Sequence, residues 1–122
     1  MLVHQFTEYY ARNFPDNPCL TQGETSYSYQ QVDHLANQFA NGLQSLGLSS
    51  GDRVCILGEN SLDHLVTFLA AAKIGAVAVS LNYRLAPAEL TYIINDAQAK
   101  ALLVLDEQLS SVLDAMRDTL PA

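Results

Sequence analysis

Arg53-Val54-Cys55-Ile56-Leu57 follows the turn Ser49-Ser50-Gly51-Asp52 and is apolar at every position after its arginine. A strand sends alternate side chains to opposite faces, so an unbroken apolar run must be covered on both sides. Such runs belong to parallel strands sandwiched between helices, which places the chain in the α/β class. Two later runs share this character, Ala76-Val77-Ala78-Val79-Ser80-Leu81 and Ala101-Leu102-Leu103-Val104-Leu105. Stripes of helical period lie between and after them. Leu62, Leu65, Val66 and Leu69 follow the candidate caps Asn60 and Ser61; Leu90, Ile93, Ile94 and Ala97 follow Pro87; Leu109, Val112, Leu113, Met116 and Leu120 precede Pro121. The strands therefore start about one strand–helix unit apart, and right-handed crossovers predict parallel pairing.

Upstream of the first of these strands the pattern changes. Leu2, Phe6, Tyr9, Tyr10 and Asn13 stand at helical spacing, and Phe14-Pro15 ends that helix. Cys19-Leu20-Thr21 and Thr25-Ser26-Tyr27 flank Gln22-Gly23-Glu24 as a hairpin. Ser28 with Gln31 forms a capping box for a long helix whose stripe is Val32, Leu35, Ala36, Phe39, Leu43 and Leu46, with Gly47 as its left-handed stop. The expected organisation is a helix over 2–14, a hairpin over 18–28, a helix over 29–46 and βα units over 53–73, 76–98 and 101–120. Together they make a three-stranded, mainly parallel sheet with flanking helices and a small N-terminal β-hairpin, as part of a larger N-terminal domain. The tyrosines and phenylalanines fall mostly on helix faces and in the hairpin, where core packing accounts for them.

Composition narrows the functions. The chain has 122 residues, of which 49% are hydrophobic and 16% charged, enough for one domain with a core. Its net charge is −7 with no run of Lys or Arg, so the basic stripe that a nucleic-acid backbone demands is missing. The longest apolar stretch, Ile74 to Leu81, is far shorter than the roughly 20 residues of a membrane span. The first residues lack the charged start and apolar run of a secretion signal, which points to a cytoplasmic protein. Cys19 and Cys55 form neither a CxxC pair nor a metal-ligand spacing, and read as small buried hydrophobes. The pattern asks for no disulfide, although sequence alone does not exclude one.

In an open parallel sheet, ligands gather at the carboxyl ends of the strands. The turns at those ends are Gly58-Glu59-Asn60-Ser61, Asn82-Tyr83-Arg84-Leu85 and Asp106-Glu107. The first has one glycine where a dinucleotide fingerprint needs three, and no phosphate-loop motif occurs anywhere. A phosphoacceptor receiver domain has about this length, but needs about five strands, with an acidic pair after the first and a lone Asp after the third, and only three central strands can be found. Asp106 then reads as a helix cap. Ser61, Asp63 and His64 read as a helix start with a solvated histidine, because Asp63 and His64 are sequence neighbours that point apart. His4 and His34 are isolated, so metal binding has no support. Arg84 is the charged residue best placed for a strand-end ligand, beside Asn82 and Tyr83; a structural or merely exposed arginine is its plainer reading.

Several stretches, taken in order, resemble the start of the acyl- and aryl-CoA synthetase family, the AMP-forming adenylating enzymes. They are Tyr27-Ser28-Tyr29; Leu46-Gly47-Leu48 with Gly51-Asp52-Arg53-Val54; Gly58-Glu59-Asn60-Ser61; Ala72-Lys73-Ile74-Gly75-Ala76-Val77; Leu81 to Leu90; and Ile94-Asn95-Asp96. The likeness runs from about Phe6 to about Glu107, and its specificity lies in the ordered set. It implies a parent that activates a carboxylic acid, a fatty acid by preference, with ATP and Mg²⁺. Pyrophosphate leaves, and a thioester to CoA follows. The family's Ser/Thr/Gly-rich phosphate loop, its ribose-binding Asp and its C-terminal lysine lie beyond these residues, so no catalytic or metal-binding residue transfers. Tyr83 and Arg84 alone are placed by the resemblance, near where the CoA nucleotide docks. Relatives often carry Ser or Thr before the proline of the helix at 87; here Ala86 removes that cap. The chain alone is expected to be an inactive scaffold that binds none of these cofactors well. The alternatives are an adenylation segment of a peptide-assembly or acyl-carrier ligase, and a free-standing interaction module.

The sheet poses a physical difficulty of its own. Leu102 to Leu105 carries no charge, proline or other edge protection. Either the sheet continues in further residues of its own polypeptide, or another chain completes it. Self-association through an exposed sheet edge or helix face is the corresponding expectation.

Overall fold

A computed structural model describes residues 2–58 and 61–105. Its elements are α1 (Val3–Asn13), β1 (Pro18–Gln22), β2 (Thr25–Ser28), α2 (Tyr29–Ser45), β3 (Arg53–Leu57), α3 (Leu62–Lys73), β4 (Val77–Leu81), α4 (Pro87–Asp96) and β5 (Ala101–Val104). The helix expected over 109–120 and the turn Asp106-Glu107 lie outside the described residues. The hairpin β1–β2 is antiparallel, and the second sheet is parallel in the order β4-β3-β5. Val54 stands opposite both Ala78 and Ala101, and Leu57 opposite both Leu81 and Val104.

The run that decided the class is the centre of the molecule. Val54, Cys55, Ile56 and Leu57 are fully buried. Val54 packs with Ala40, Leu43, Leu48 and Ala70, on the side of α2 and α3. Cys55 and Leu57 pack with Leu81, Leu90 and Ile94, on the side of α4. Period-two alternation thus divides one strand between two cores. The path from β3 to β4 runs outward, and the path from β4 to β5 runs back across β3. Right-handed crossovers in opposite directions place α3 and α4 on opposite faces. A third cluster, Val32, Ala36, Val66 and Leu69, joins α2 to α3, with Cys19 and Tyr27 of the hairpin packed against it.

Local chemistry sets the element ends. Gln31 N donates to Ser28 Oγ at 3.2 Å and Ser28 N to Gln31 Oε1 at 2.8 Å, closing the capping box of α2. Gly23 opens the two-residue hairpin turn at φ 62°, and Gly47 follows α2 at φ 91°, both left-handed positions that favour glycine. Pro87 begins α4 without any side-chain cap from Ala86. At the other end of α4, Arg53 Nε donates to the Ala97 carbonyl and its guanidinium reaches Gln98 Oε1 at 3.2 Å. The first residue of the central strand thereby closes a helix 44 positions later.

The first helix departs from the sequence reading. Its apolar stripe faces outward: Leu2 is 62% exposed, Phe6 57%, Tyr9 46% and Tyr10 39%, with Val3 and Phe14 exposed beside them. The docked side is His4, Thr7, Glu8 and Ala11, at i, i+3, i+4 and i+7. Glu8 is drawn inward because its carboxylate meets Lys73 Nζ of α3 at 2.8 Å, and Lys73 also holds Asp33 of α2 at 2.9 Å. Core packing therefore does not account for the aromatics of α1, contrary to expectation. In α2 the buried line is Val32, Ala36, Ala40 and Leu43, while Phe39 and Leu46 lie at its exposed flank.

Candidate functional site

Strands β3 and β4 are neighbours whose chains leave toward opposite faces, β3 into α3 and β4 into α4. Their carboxyl ends lie on the side of the sheet where an open α/β fold binds ligands. Gly58, Ser61 and His64 follow β3, and Ser80 stands near the end of β4 before Asn82, Tyr83 and Arg84. Glu59 and Asn60 lie outside the described residues.

Gly58 serves packing here. A Cβ on it would come within 2.9 Å of Leu105 Cβ, so the glycine lets the end of β3 pass closely beside the chain leaving β5. The start of α3 is equally committed to the protein. Leu62 N donates to Gln22 Oε1 at 2.9 Å, and His64 N to Ser61 Oγ at 3.3 Å. Helix N-termini bind anions through unsatisfied amides, and two of these are already occupied by side chains. Ser61, rather than Asn60, is the side-chain cap that the described residues show.

The solvated histidine expected at position 64 is corrected. His64 Nε2 lies 3.0 Å from Ser80 Oγ, and its Nδ1 is buried without a partner among the described residues. A hydroxyl beside an imidazole has the form of a nucleophile–base pair. Catalysis also needs a group orienting the imidazole, and Nδ1 has no such partner among the described residues. Asp63 is exposed and accepts nothing from the ring. The His64–Ser80 contact thus joins α3 to β4. Sequence reasoning missed Ser80, whose only signal was one hydroxyl within an apolar strand.

The turn after β4 is built by Asn82. Its Oδ1 accepts from Arg84 N at 3.1 Å and its carbonyl from Leu85 N at 3.1 Å, an Asx turn within a β-turn. Tyr83 is half-buried against the cluster around Leu81 and Leu90. The exposed Arg84 lays its guanidinium over the Tyr83 ring, 5.4 Å from the centroid. Arg84 makes no ion pair among the described residues. The contact holds a cation beside an aromatic ring just beyond the carboxyl end of β4.

Other candidates carry less. Among the described residues no group of three or more His, Cys, Asp or Glu could hold a metal ion. Cys19 and Cys55 are free, and burial pushes both thiols up from their ordinary range, which lowers their reactivity. A groove of about 400 Å³ between the hairpin and α3 is lined by Leu20, Gln22, Leu62, Leu65 and Phe68, with His64 in its wall. These residues supply neither a cradle for triphosphate nor acidic ligands for Mg²⁺.

Comparison with known proteins gives the context. Residues 7–121 match a family model described as AMP-binding enzyme. The long-chain-fatty-acid–CoA ligase FadD13 of Mycobacterium tuberculosis is 41% identical over 90 residues, 74% of this chain and 18% of the ligase. The fatty acid–[acyl-carrier-protein] ligase ScoC of Streptomyces coeruleorubidus is 31% identical over 112 residues, 92% of this chain and 21% of that protein. The crystal structure of the anthranilate CoA ligase AuaEII with anthranoyl-AMP superposes with a TM-score of 0.93 at 28% identity, covering 99% of this chain and 23% of that one. The chain thus spans about a fifth of the length of these curated relatives.

Proposed function

Since the chain belongs to the AMP-binding enzyme family, we propose that it is the opening scaffold of an AMP-forming acid–thiol ligase. The observation that carries this is the family match over residues 7–121, joined by 41% identity to a fatty-acid–CoA ligase. The parent's carboxylate substrate attacks the α-phosphorus of ATP; the α–β phosphoanhydride bond breaks, pyrophosphate leaves and an acyl-adenylate forms. The sulfur of CoA then attacks the acyl carbon, and AMP leaves with the electrons of the cleaved C–O bond. Fatty acids are the favoured substrates, Mg²⁺ accompanies ATP, and the cytoplasm is the favoured location. No helix among the described residues is long and apolar enough to cross a membrane. A second reading, with an acyl-carrier-protein thiol as acceptor, has the support of the likeness to ScoC.

The 122 residues by themselves are inactive and form the structural base on which the rest of the ligase sits. In support, the amides of Leu62 and His64 at the start of α3 are taken by Gln22 and Ser61. Tyr83 and Arg84 contribute to the CoA nucleotide site of the parent, through the stacked ring and its cation. Alone, the chain also associates with itself through a sheet edge or helix face that the parent would cover. Acid-dependent exchange of labelled pyrophosphate into ATP tests the first point: none is expected from the purified chain, and exchange above background with a fatty or aromatic acid would overturn it. In the full-length ligase, Arg84→Ala is expected to leave that exchange intact while raising the KM for CoA about tenfold, the loss of one charge-assisted hydrogen bond. Equal loss in both half-reactions would remove the assignment.

A further inference from the structure

The first helix presents its apolar side to solvent, and the composition of that side is what an interface needs. Leu2, Val3, Phe6, Tyr9, Tyr10 and Phe14 are each between 39% and 62% exposed on one 11-residue helix and its flanks. Interface cores are enriched in aromatics and depleted of charge. Here the charges of α1 are drawn off the stripe: Glu8 is held inward by Lys73, and Arg12 borders the same cleft beside Asp33. The aromatic groups are already ordered against one another. Tyr10 stacks on Tyr29 at 5.0 Å and lies 5.8 Å from Phe14, while Tyr9 meets Tyr10 edge-on at 5.4 Å. A prearranged aromatic surface loses little conformational freedom on binding.

We propose that this face of α1 is a two-fold interface between two copies of the chain. For the 122-residue chain by itself, the charge and the area of the stripe favour a second copy over a lipid surface. An uncharged stripe can meet its own image across a two-fold axis without opposing like charges, which a chain of net charge −7 could not do over most of its surface. Four aromatic side chains about half exposed, with Leu2 and Val3, offer on the order of 500 Å² per copy. Two copies then bury about 1,000 Å², the lower bound of a specific interface, so the dimer is weak and reversible. A lipid surface fits less well, because interfacial helices carry a polar face rich in Lys and Arg and α1 has Arg12 alone. The proposal narrows the self-association of the preceding section to one helix and rests on that part of it alone.

Sedimentation equilibrium of the 122-residue chain over a wide concentration range is the test. A reversible monomer–dimer equilibrium is expected, tightening as salt screens the acidic surfaces. Phe6→Glu and Tyr9→Glu should each weaken it by about tenfold or more, since each buries an unpaired charge. Val77→Lys, on the exposed edge of β4, should leave it unchanged. Both α1 positions are exposed, so far-UV circular dichroism and melting should match the wild type and certify folding. A monomer at every concentration would overturn the proposal, as would a monomer that floats with phosphatidylcholine vesicles. A dimer that survives both α1 variants but is lost in Val77→Lys would refute the assignment to α1 while leaving self-association standing.

Discussion

Lys73 sits where three helices meet, its ammonium 2.8 Å from Glu8 of α1 and 2.9 Å from Asp33 of α2. Burial alone would push this ammonium down, but the hydrogen bonds it donates to Glu8 and Asp33, with the charges of those carboxylates, outweigh it and hold the group above its ordinary value. A raised folded value means that the stabilisation is complete below the unfolded value of 10.5 and is lost as pH rises through the folded one. Lys73→Met keeps the aliphatic stem and leaves two half-buried carboxylates facing one another. We expect a loss of about 1–3 kcal/mol in urea unfolding at neutral pH, and a difference from wild type that shrinks above pH ~10.5. A difference that stayed constant through the alkaline range would show that the charge is not responsible. None of this was legible in the sequence, because the partners of Lys73 lie 65 and 40 positions away. The same holds for Ser80, which acquires meaning only when α3 brings His64 across to it.

Caps, turns and periods at the level of elements were mostly legible, because they involve residues three or four positions apart. The Ser28–Gln31 box, the glycine turns and Pro87 at the start of α4 need no tertiary context. Ala86 has the extended backbone of a cap, φ −68° and ψ 153°, without a side chain that can accept a hydrogen bond. Ala86→Ser should therefore stabilise the chain by about 1 kcal/mol, measured as a shift of the urea midpoint at constant slope. No shift would mean that the first amides of α4 are satisfied in some other way. Periodicity has a limit that α1 exposes. It locates an apolar stripe, and it is silent on whether the stripe or the opposite side docks. In α1 the ion pair of Glu8 and the small residues Thr7 and Ala11 suit the opposite side to close approach.

For the molecule as a whole, stability should fall away from β3. Its residues from Val54 to Leu57 are fully buried and paired on both edges, whereas Thr7 is the only buried residue of α1. Hydrogen exchange should be slowest at the amides of Val54 to Leu57 and much faster throughout α1. Comparable protection of both would mean that α1 unfolds only with the core. By itself the sequence determined the α/β class, the succession of elements and their ends, and the ordered motifs that resemble the AMP-forming ligases. These rest on local contacts and on the two-sided burial that an uninterrupted apolar strand requires. Tertiary structure alone decided the strand order β4-β3-β5, the opposed placement of α3 and α4, the His64–Ser80 bridge and the outward stripe of α1. The physical reason is that these depend on which distant surfaces and charges meet, and a repeating pattern of residues does not encode the partner of its own apolar face. The run Arg53 to Leu57 required cover on two sides, and only the folded chain showed that α2 and α3 supply one cover and α4 the other.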